Sequence, residues 1–464
     1  MTCRSAADHL ARWVRLAAVV VLTACGGNPE TPVHPPPGPS SAAPWSETWM
    51  LEQGNRYLSD LAYRRQALLQ SLPNHANMYA KQRIGHYALG RRGWDMLPEW
   101  NPRSVGVGNA VVAQLGTADV PTQGRLPAST PQLWDGRTPR TMREWVALGR
   151  TVFFRYPLRS EVFAEWALRR PETAARVGIE KDASGKYPGI VLFADVDGRS
   201  RIGITCALCH TAVHDGRVVE GRARRAFDYG RLRLDYHQDT REPVDADLAR
   251  RMATWGPGRA DVTEDVAEDP VAIPDLWGLR HQTALTQAGT LNHLGPVTLA
   301  IRQETQLLHT NHQRVRPPRV LSLALAYYLY SLEPPPVART HPETAAERRG
   351  QALFDSHCVR CHSNEAYGGD PIDHARVGTS PELATGTARG TGRYRPSSLL
   401  RVADAAPYLH HGAVATLEDL LSPERLAAGF TRSPVGPGPV PGHTFGTELP
   451  QADRDALVAY LRTL

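Results

Sequence analysis

Two short motifs of the form Cys-x-x-Cys-His constrain this chain more than any other feature of its sequence. The first motif spans residues 206–210 and the second spans residues 358–362. Each supplies two thiols and one imidazole, from Cys206, Cys209 and His210 in the first and from Cys358, Cys361 and His362 in the second. The other two of the six cysteines, Cys3 and Cys25, lie near the N-terminus. The body of the chain therefore has no cysteine left for a disulfide.

The spacing within each motif favours covalent attachment of haem. Two cysteines three positions apart lie on one side of a helical turn, where they can form thioethers with the vinyl groups of one haem, and the next histidine can ligate the iron. We therefore predict two covalently bound haem c groups, with iron ligands His210 and His362. A thioredoxin-like redox pair would need a βαβ setting. A four-cysteine zinc site normally has its pairs about 15–20 residues apart, whereas these pairs are far apart in sequence.

The N-terminus has the features of an export signal. Arg12 and Arg15 precede an apolar run at 16–24 that is too short to span a bilayer. The run ends in Leu-Thr-Ala-Cys at 22–25, which resembles a bacterial lipobox and predicts a lipid anchor at Cys25. We predict a lipoprotein signal peptide at 1–24 and a Pro-rich tether at 25–47. The protein would be exported to the periplasm or cell surface and anchored to a membrane. The alternative is a plain signal peptide with an incidental cysteine.

The composition and net charge of the chain indicate which kinds of partner it binds. The chain of 464 residues has 22% charged and 41% hydrophobic residues, as in soluble globular proteins with two or three domains. Its formal net charge of +6 falls when the signal is removed, and haem propionates would offset much of the remainder. We therefore predict no nucleic-acid binding. The predicted partner is a redox partner protein or a small oxidant.

One four-part pattern occurs twice after residue 140. Each copy has an opening helix, a Cys-x-x-Cys-His motif, a Pro-led segment and an apolar closing helix. The opening helices contain 147–153 and 347–354, the Pro-led segments cover 273–291 and 395–414, and the closing helices contain 326–332 and 459–464. The first copy has about fifty extra residues before its motif, with β-prone residues at 190–193 that predict a small hairpin.

This repeat predicts the fold class and the domain boundaries. We expect a mainly α protein with two cytochrome c-like helical haem domains in tandem, a helical N-terminal extension and a small β insertion. The extension covers 48–140, the first haem c domain 141–336 and the second 337–464. Apolar residues at helical spacing from 49 to about 72, and again near 78–89, predict two helical stretches in the extension.

The second ligand of each iron decides between an open and a closed site. No methionine lies in 337–464, which excludes a His/Met haem built within that domain. Its distal ligand, if it has one, must be a histidine, and the candidates are His374, His410, His411 and His443. For the first haem the candidates are His214, His237, His309, His312 and Met252. Any one of these histidines can equally be a hydrogen-bonded or surface residue.

Residues 141–464 resemble the bacterial di-haem cytochrome c peroxidase superfamily, which includes the methylamine-utilisation di-haem enzymes and the rubber-oxygenase branch. The resemblance rests on the first motif, on Ala-Pro-Tyr-Leu-His-His-Gly at 406–412 and on Gly-His-Thr-Phe-Gly-Thr at 442–447. Two departures stand out. His411 stands where family members have an aspartate or an asparagine. The peroxidases have a methionine ligand a little further on, where this chain has Leu-Leu-Ser-Pro at 420–423.

The resemblance implies a set of roles. His443 matches the distal histidine of the rubber-oxygenase branch, so it would ligate the second iron opposite His362, while the first iron stays open. Trp277 resembles a tryptophan between the haems and is the candidate catalytic residue, although a buried tryptophan is more often part of a core. The implied function is an oxidoreductase acting on peroxide or dioxygen at the first haem, with electron relay through the second. The alternative is a pure electron-transfer cytochrome with both haems six-coordinate, the partner of a periplasmic or membrane redox enzyme.

Overall fold

Helices form most of the regular structure in this computed structural model, which describes residues 42–115, 126–261 and 269–464. The predicted signal peptide, the lipid site at Cys25 and nearly all of the tether lie outside the described residues. Ala42–Leu464 is one compact unit. Within the described ranges no helix is long and apolar enough to cross a membrane. The prediction of a mainly α protein with small sheets is confirmed.

The α-helices of the described residues are α1 (Glu47–Ser59), α2 (Leu61–Ser71), α3 (Met78–Lys81), α4 (Asn109–Gln114), α5 (Met142–Arg155), α6 (Val162–Leu168), α7 (Pro171–Arg176), α8 (Cys206–Cys209), α9 (Tyr229–Thr240), α10 (Ala246–Trp255), α11 (Pro296–Thr310), α12 (Arg319–Tyr330), α13 (Ala345–His357), α14 (His374–Val377), α15 (Glu382–Thr385), α16 (Leu417–Leu421) and α17 (Gln451–Leu461). A π-helical turn at Gln82–His86 follows α3, and 3₁₀ turns lie at Gly93–Met96, Leu279–His281, Val402–Asp404 and Pro423–Leu426.

The strands are short and form five small antiparallel sheets in the described ranges. They are β1 (Ser104–Gly108), β2 (Arg159–Ser160), β3 (Lys186–Ala194), β4 (Ser200–Ile204), β5 (Thr211–His214), β6 (Arg217–Glu220), β7 (Arg259–Ala260), β8 (Val271–Ala272), β9 (Ala284–Leu285), β10 (Leu291–Asn292), β11 (Ile372–Asp373) and β12 (Arg393–Tyr394).

The opening and closing helices of each copy cross in the same way. In the first copy α5 packs on α12, where a Cβ at Gly149 would lie 2.0 Å from the carbonyl oxygen of Ala324 and 2.6 Å from the Cβ of Tyr328. Only a residue without a side chain allows the two backbones to approach this closely.

The second copy repeats this crossing between α13 and α17. A Cβ at Gly350 would lie 2.0 Å from the carbonyl oxygen of Ala456 and 2.7 Å from the Cβ of Tyr460. Four residues after its glycine, each opening helix presents a phenylalanine to the tyrosine of the closing helix. The ring centroids are 5.1 Å apart in the first copy and 5.4 Å apart in the second. The internal repeat seen in the sequence is therefore also a repeat of packing geometry.

The β insertion of the first copy is larger than the predicted hairpin. It is a four-stranded sheet in the order β1-β3-β4-β2, and β3 pairs with β4 in the register Ile190↔Ile204. Strand β1 comes from the poorly patterned region before residue 140 and pairs with β3 in the register Ser104↔Phe193. The hairpin prediction was incomplete because this pairing joins segments more than eighty residues apart. Strand β4 ends two residues before Cys206, so the sheet leads directly into the first motif.

The N-terminal extension is helical, but its first predicted helix is two helices. The break falls at Asp60, whose extended backbone ends α1 and whose side chain accepts a hydrogen bond from the N–H of Tyr63 to cap α2. The extension is joined to the core by buried polar contacts. The Tyr57 hydroxyl donates to Glu304 at 2.6 Å, and the Tyr327 hydroxyl donates to the carbonyl of Met50 at 2.6 Å.

Candidate haem-binding sites

The first motif forms a single helical turn, α8, at the end of the four-stranded sheet. Thr205 caps the turn, because its hydroxyl accepts a hydrogen bond from the N–H of Ala207. The N–H of His210 donates to the carbonyl of Cys206 at 3.2 Å, which closes the turn. The His210 Nδ1 lies 3.1 Å from the carbonyl oxygen of Pro274. A carbonyl only accepts, so Nδ1 carries the proton and Nε2 keeps a lone pair that can bind iron.

The second motif makes the same turn at the C-terminus of α13. The N–H groups of Cys361 and His362 both lie 3.0 Å from the carbonyl oxygen of Cys358. The His362 Nδ1 is 2.6 Å from the carbonyl oxygen of Tyr367. The backbone carbonyl of Ser397 also hydrogen-bonds to this imidazole. Both motifs therefore present two cysteines and one oriented imidazole, which is the donor set that covalent haem requires.

Burial sets the protonation of these side chains. It raises the pKa of Cys206, Cys209 and Cys358 to about 11, so all three are protonated thiols at neutral pH. A redox-active Cys-x-x-Cys pair needs a lowered thiol pKa instead. Burial also lowers the pKa of His210 to about 4, which keeps its imidazole neutral. In the described ranges, no group of three or more His, Cys, Asp or Glu side chains is placed to hold a metal ion, so the zinc alternative gains no support.

The structure places His443 next to the second motif. Burial, and then the positive charge that His362 and Arg425 can carry nearby, lower the pKa of His443 to about 4. The two imidazoles thus lie close enough to interact electrostatically. The His443 Nδ1 is enclosed and has no hydrogen-bond partner among the described residues. A neutral, buried imidazole within electrostatic range of a second imidazole fits a haem held between two histidines.

The other candidates in the second copy have different surroundings. His410 stacks on Tyr394, with ring centroids 4.1 Å apart, and the His411 Nδ1 accepts a hydrogen bond from the N–H of Ala413. Both line a cavity of about 350 Å³ beside Arg259. His374 begins α14 and is partly buried. The charges that influence His410 and His411 do not include His362.

The five candidates for the distal side of the first haem are scattered. None of their described contacts reaches the first motif. His214 and His312 are exposed, His237 bonds to the carbonyl of Glu242, His309 bonds to the Tyr87 hydroxyl, and Met252 is buried between α9 and α10.

Sequence reasoning missed Arg302 of α11. Its positive charge contributes to the pKa shifts of both Cys206 and His210, so it lies beside the first motif. It stands about ninety residues after the motif, with no local pattern around it.

Trp277 lies against the turn that follows the first motif. It is 3% exposed, and its indole N–H donates to the carbonyl of Glu220 at 3.0 Å. A Cβ at Gly221 would lie 2.8 Å from that indole nitrogen, and the N–H of Gly221 donates to the carbonyl of His210. Trp277 is therefore connected to His210 through one peptide segment. This position suits an electron relay and a core residue equally.

Residues 347–464 match the family model of cytochrome c, a range that includes the second motif and His443. A MauG-like protein associated with microbial copper homeostasis is 22% identical in sequence, over 45% of this chain and 78% of its own, with a TM-score of 0.32. The hydrazine synthase of Kuenenia stuttgartiensis is 14% identical, over 75% of this chain and 100% of its own, with a TM-score of 0.34. No curated protein matches the chain.

Proposed function

We propose that this chain, whose residues 347–464 form a cytochrome c domain with covalently bound haem c, is a di-haem oxidoreductase of the bacterial di-haem cytochrome c peroxidase superfamily. Peroxide or dioxygen would react at the first motif, and electrons would pass through the second. The mature protein would be exported and anchored by lipid at Cys25. Its partner would be a redox protein or a small oxidant.

The repeated turn carries the proposal of two haems. In each motif the histidine N–H closes a helical turn onto the first cysteine carbonyl, and the histidine Nδ1 lies against a backbone carbonyl. The opening and closing helices around each motif also cross at a matched glycine. Since the second of these units is a cytochrome c domain, we assign the same cofactor to the first.

The two units differ in the residues around their motifs, and this difference supports separate roles. Haem supplies electron transfer when both axial positions are filled, and reaction with peroxide or dioxygen when one is open. In the second unit the charge of His362 influences His443, and we assign these two imidazoles to the two axial positions. Arg302 is one of the charged groups beside the first motif, with Arg224, Arg159 and Asp275, and its guanidinium cannot ligate iron because it stays protonated. A cation there would favour an anionic or strongly polarised small ligand.

The test is the ferric spectrum of the purified holoprotein. We expect one low-spin signal and one high-spin signal, with cyanide binding to the high-spin iron alone. Stopped-flow mixing of the reduced protein with peroxide, and separately with dioxygen, would identify the oxidant. Two low-spin signals, and no reaction with either oxidant, would support the pure electron-transfer cytochrome instead.

A further inference from the structure

Arg425 is a fully buried arginine beside the predicted distal ligand of the second haem. It lies in the 3₁₀ turn after α16 and is 0% exposed. All three of its nitrogens donate to backbone carbonyls. Nε donates to Leu420 at 3.0 Å, Nη1 to Val440 at 2.5 Å, and Nη2 to both Gly442 and His443 at 2.8 Å. Three of these four acceptors belong to the loop that carries His443.

The same loop is held from its other side by the C-terminal end of α14 and the residues that follow it. The N–H of His443 donates to the carbonyl of Val377 at 2.6 Å. A Cβ at Gly442 would lie 2.3 Å from the carbonyl carbon of Gly378, so the two backbones touch. Arg425 and Val377 thus bond to the carbonyl and the N–H of His443. These two hydrogen bonds keep the backbone of His443 in a left-handed conformation, with φ of 44°, which a non-glycine residue rarely adopts.

The charge of Arg425 has no described counter-ion. No carboxylate of the described residues lies within ion-pair distance of its guanidinium, which remains protonated even when buried. Burying an unpaired cation is costly unless its donors are all satisfied. Backbone carbonyls satisfy every donor nitrogen here without neutralising the charge. A net positive charge therefore remains next to the imidazole of His443.

We propose that Arg425 is a positioning residue for the second haem, which orients His443 toward the iron and raises the reduction potential of that haem. The inference rests on the proposed function, because it takes His443 as the ligand. Reduction adds an electron to the iron, and a fixed positive charge nearby stabilises the reduced form. If Arg425 acted on the loop alone, removing its charge while keeping the loop in place would leave the reduction potential unchanged.

Two substitutions separate the orienting role from the charge. Arg425→Lys keeps a cation but loses the planar fork that reaches several carbonyls. Arg425→Gln keeps hydrogen bonding and loses the charge. We expect both variants to convert part of the low-spin signal of the second haem to high spin. We expect Arg425→Gln alone to lower the reduction potential of the low-spin fraction. The matched control is Arg432→Gln, because Arg432 is half exposed and paired with Asp419 and Glu424.

The signals of the first haem and the unfolding midpoint show whether each variant is folded. If Arg425→Gln proves too unstable, Arg425→Ala with added guanidinium tests the same point, since the ion should restore the low-spin signal. Folded variants with an unchanged spin state and potential would overturn the inference if His443→Ala still opens the second iron. If His443→Ala leaves the spectrum unchanged, the ligand assignment in the proposed function is wrong instead.

Discussion

The two motif regions share a local turn and a helix crossing, but they are built from the chain in different ways. In the second region the motif directly follows α13, and the His362 imidazole bonds to two backbone carbonyls, that of Tyr367 five residues away and that of Ser397 thirty-five residues away. In the first region a four-stranded sheet separates α5 from the motif, and the carbonyl that orients His210 lies sixty-four residues away, at Pro274. The second region alone matches the cytochrome c family model. The comparison teaches that the histidine of one binding turn can be oriented by a local carbonyl together with a distant one, as in the second region, or by a distant carbonyl, as in the first.

The largest expected effect comes from removing one pair of cysteines at a time. Replacing both cysteines of the second motif with alanine should halve the haem that stays bound after denaturation and acid–acetone extraction, because thioethers survive both treatments. The same change in the first motif should remove the other half. Haem-stained gels and the haem-to-protein ratio measure this. A full haem content in either double variant would contradict the proposed equivalence of the two motifs.

The next effect concerns the second iron alone. His443→Ala should convert one low-spin ferric signal to a high-spin or water-ligated form, since the protein then supplies only His362 to that iron. The matched control is His410→Ala, because His410 stacks on Tyr394 and should mainly disturb packing. Electron paramagnetic resonance of the ferric protein measures both. If His410→Ala or His411→Ala opens the iron and His443→Ala does not, the ligand has been assigned to the wrong residue.

The motifs and the helices around them were predictable because their signals are local. The spacing of Cys358, Cys361 and His362 defines a helical turn, and the apolar periodicity of the opening and closing helices predicts their existence. The absence of methionine from 337–464 reduced the second ligand to four histidines. The choice among them came from the resemblance, and in the structure the charge of His362 influences His443 but not His410 or His411.

The remaining features could not be predicted because they depend on long-range pairing. Strand β1 joins its sheet across more than eighty residues, and short strands of this kind lack a clear period. The break at Asp60 divides the single predicted helix into α1 and α2. The sequence did not reveal it, because a capping residue between two helices leaves the apolar residues on either side at helical spacing. Arg302 and Arg425 act at positions set by tertiary packing, so no sequence pattern identifies them.

Substitutions of Gly149 and Gly350 test whether the two helix crossings contribute equally to the stability of the protein. Gly350→Val should destabilise the protein by about 1–3 kcal/mol, because its new side chain would overlap Ala456 and Tyr460. Gly149→Val should have a similar cost in the first region. Urea unfolding followed at each haem separately measures the two effects. Gly429→Val is the control, since a Cβ there meets nothing within 4 Å. Equal costs for Gly350→Val and Gly429→Val would show that the crossing does not require glycine.

The smallest effect distinguishes the two roles of Trp277. Trp277→Phe removes the N–H that donates to the carbonyl of Glu220, and we expect a loss of stability of roughly 1 kcal/mol from that bond. If Trp277 also relays electrons, exchange between the two haems should slow, because phenylalanine is much harder to oxidise than tryptophan. Flash reduction of one haem, followed by the approach to equilibrium, measures the exchange rate.

Trp94→Phe is the matched control for this variant. Trp94 is 0% exposed and lies under the guanidinium of Arg319. It should lower stability without changing exchange between the haems. A rate that stays constant in both variants would make Trp277 a core residue. The two motif regions would then be coupled electronically by some other part of the chain, and the resemblance to di-haem enzymes with a tryptophan between the haems would fail at that position.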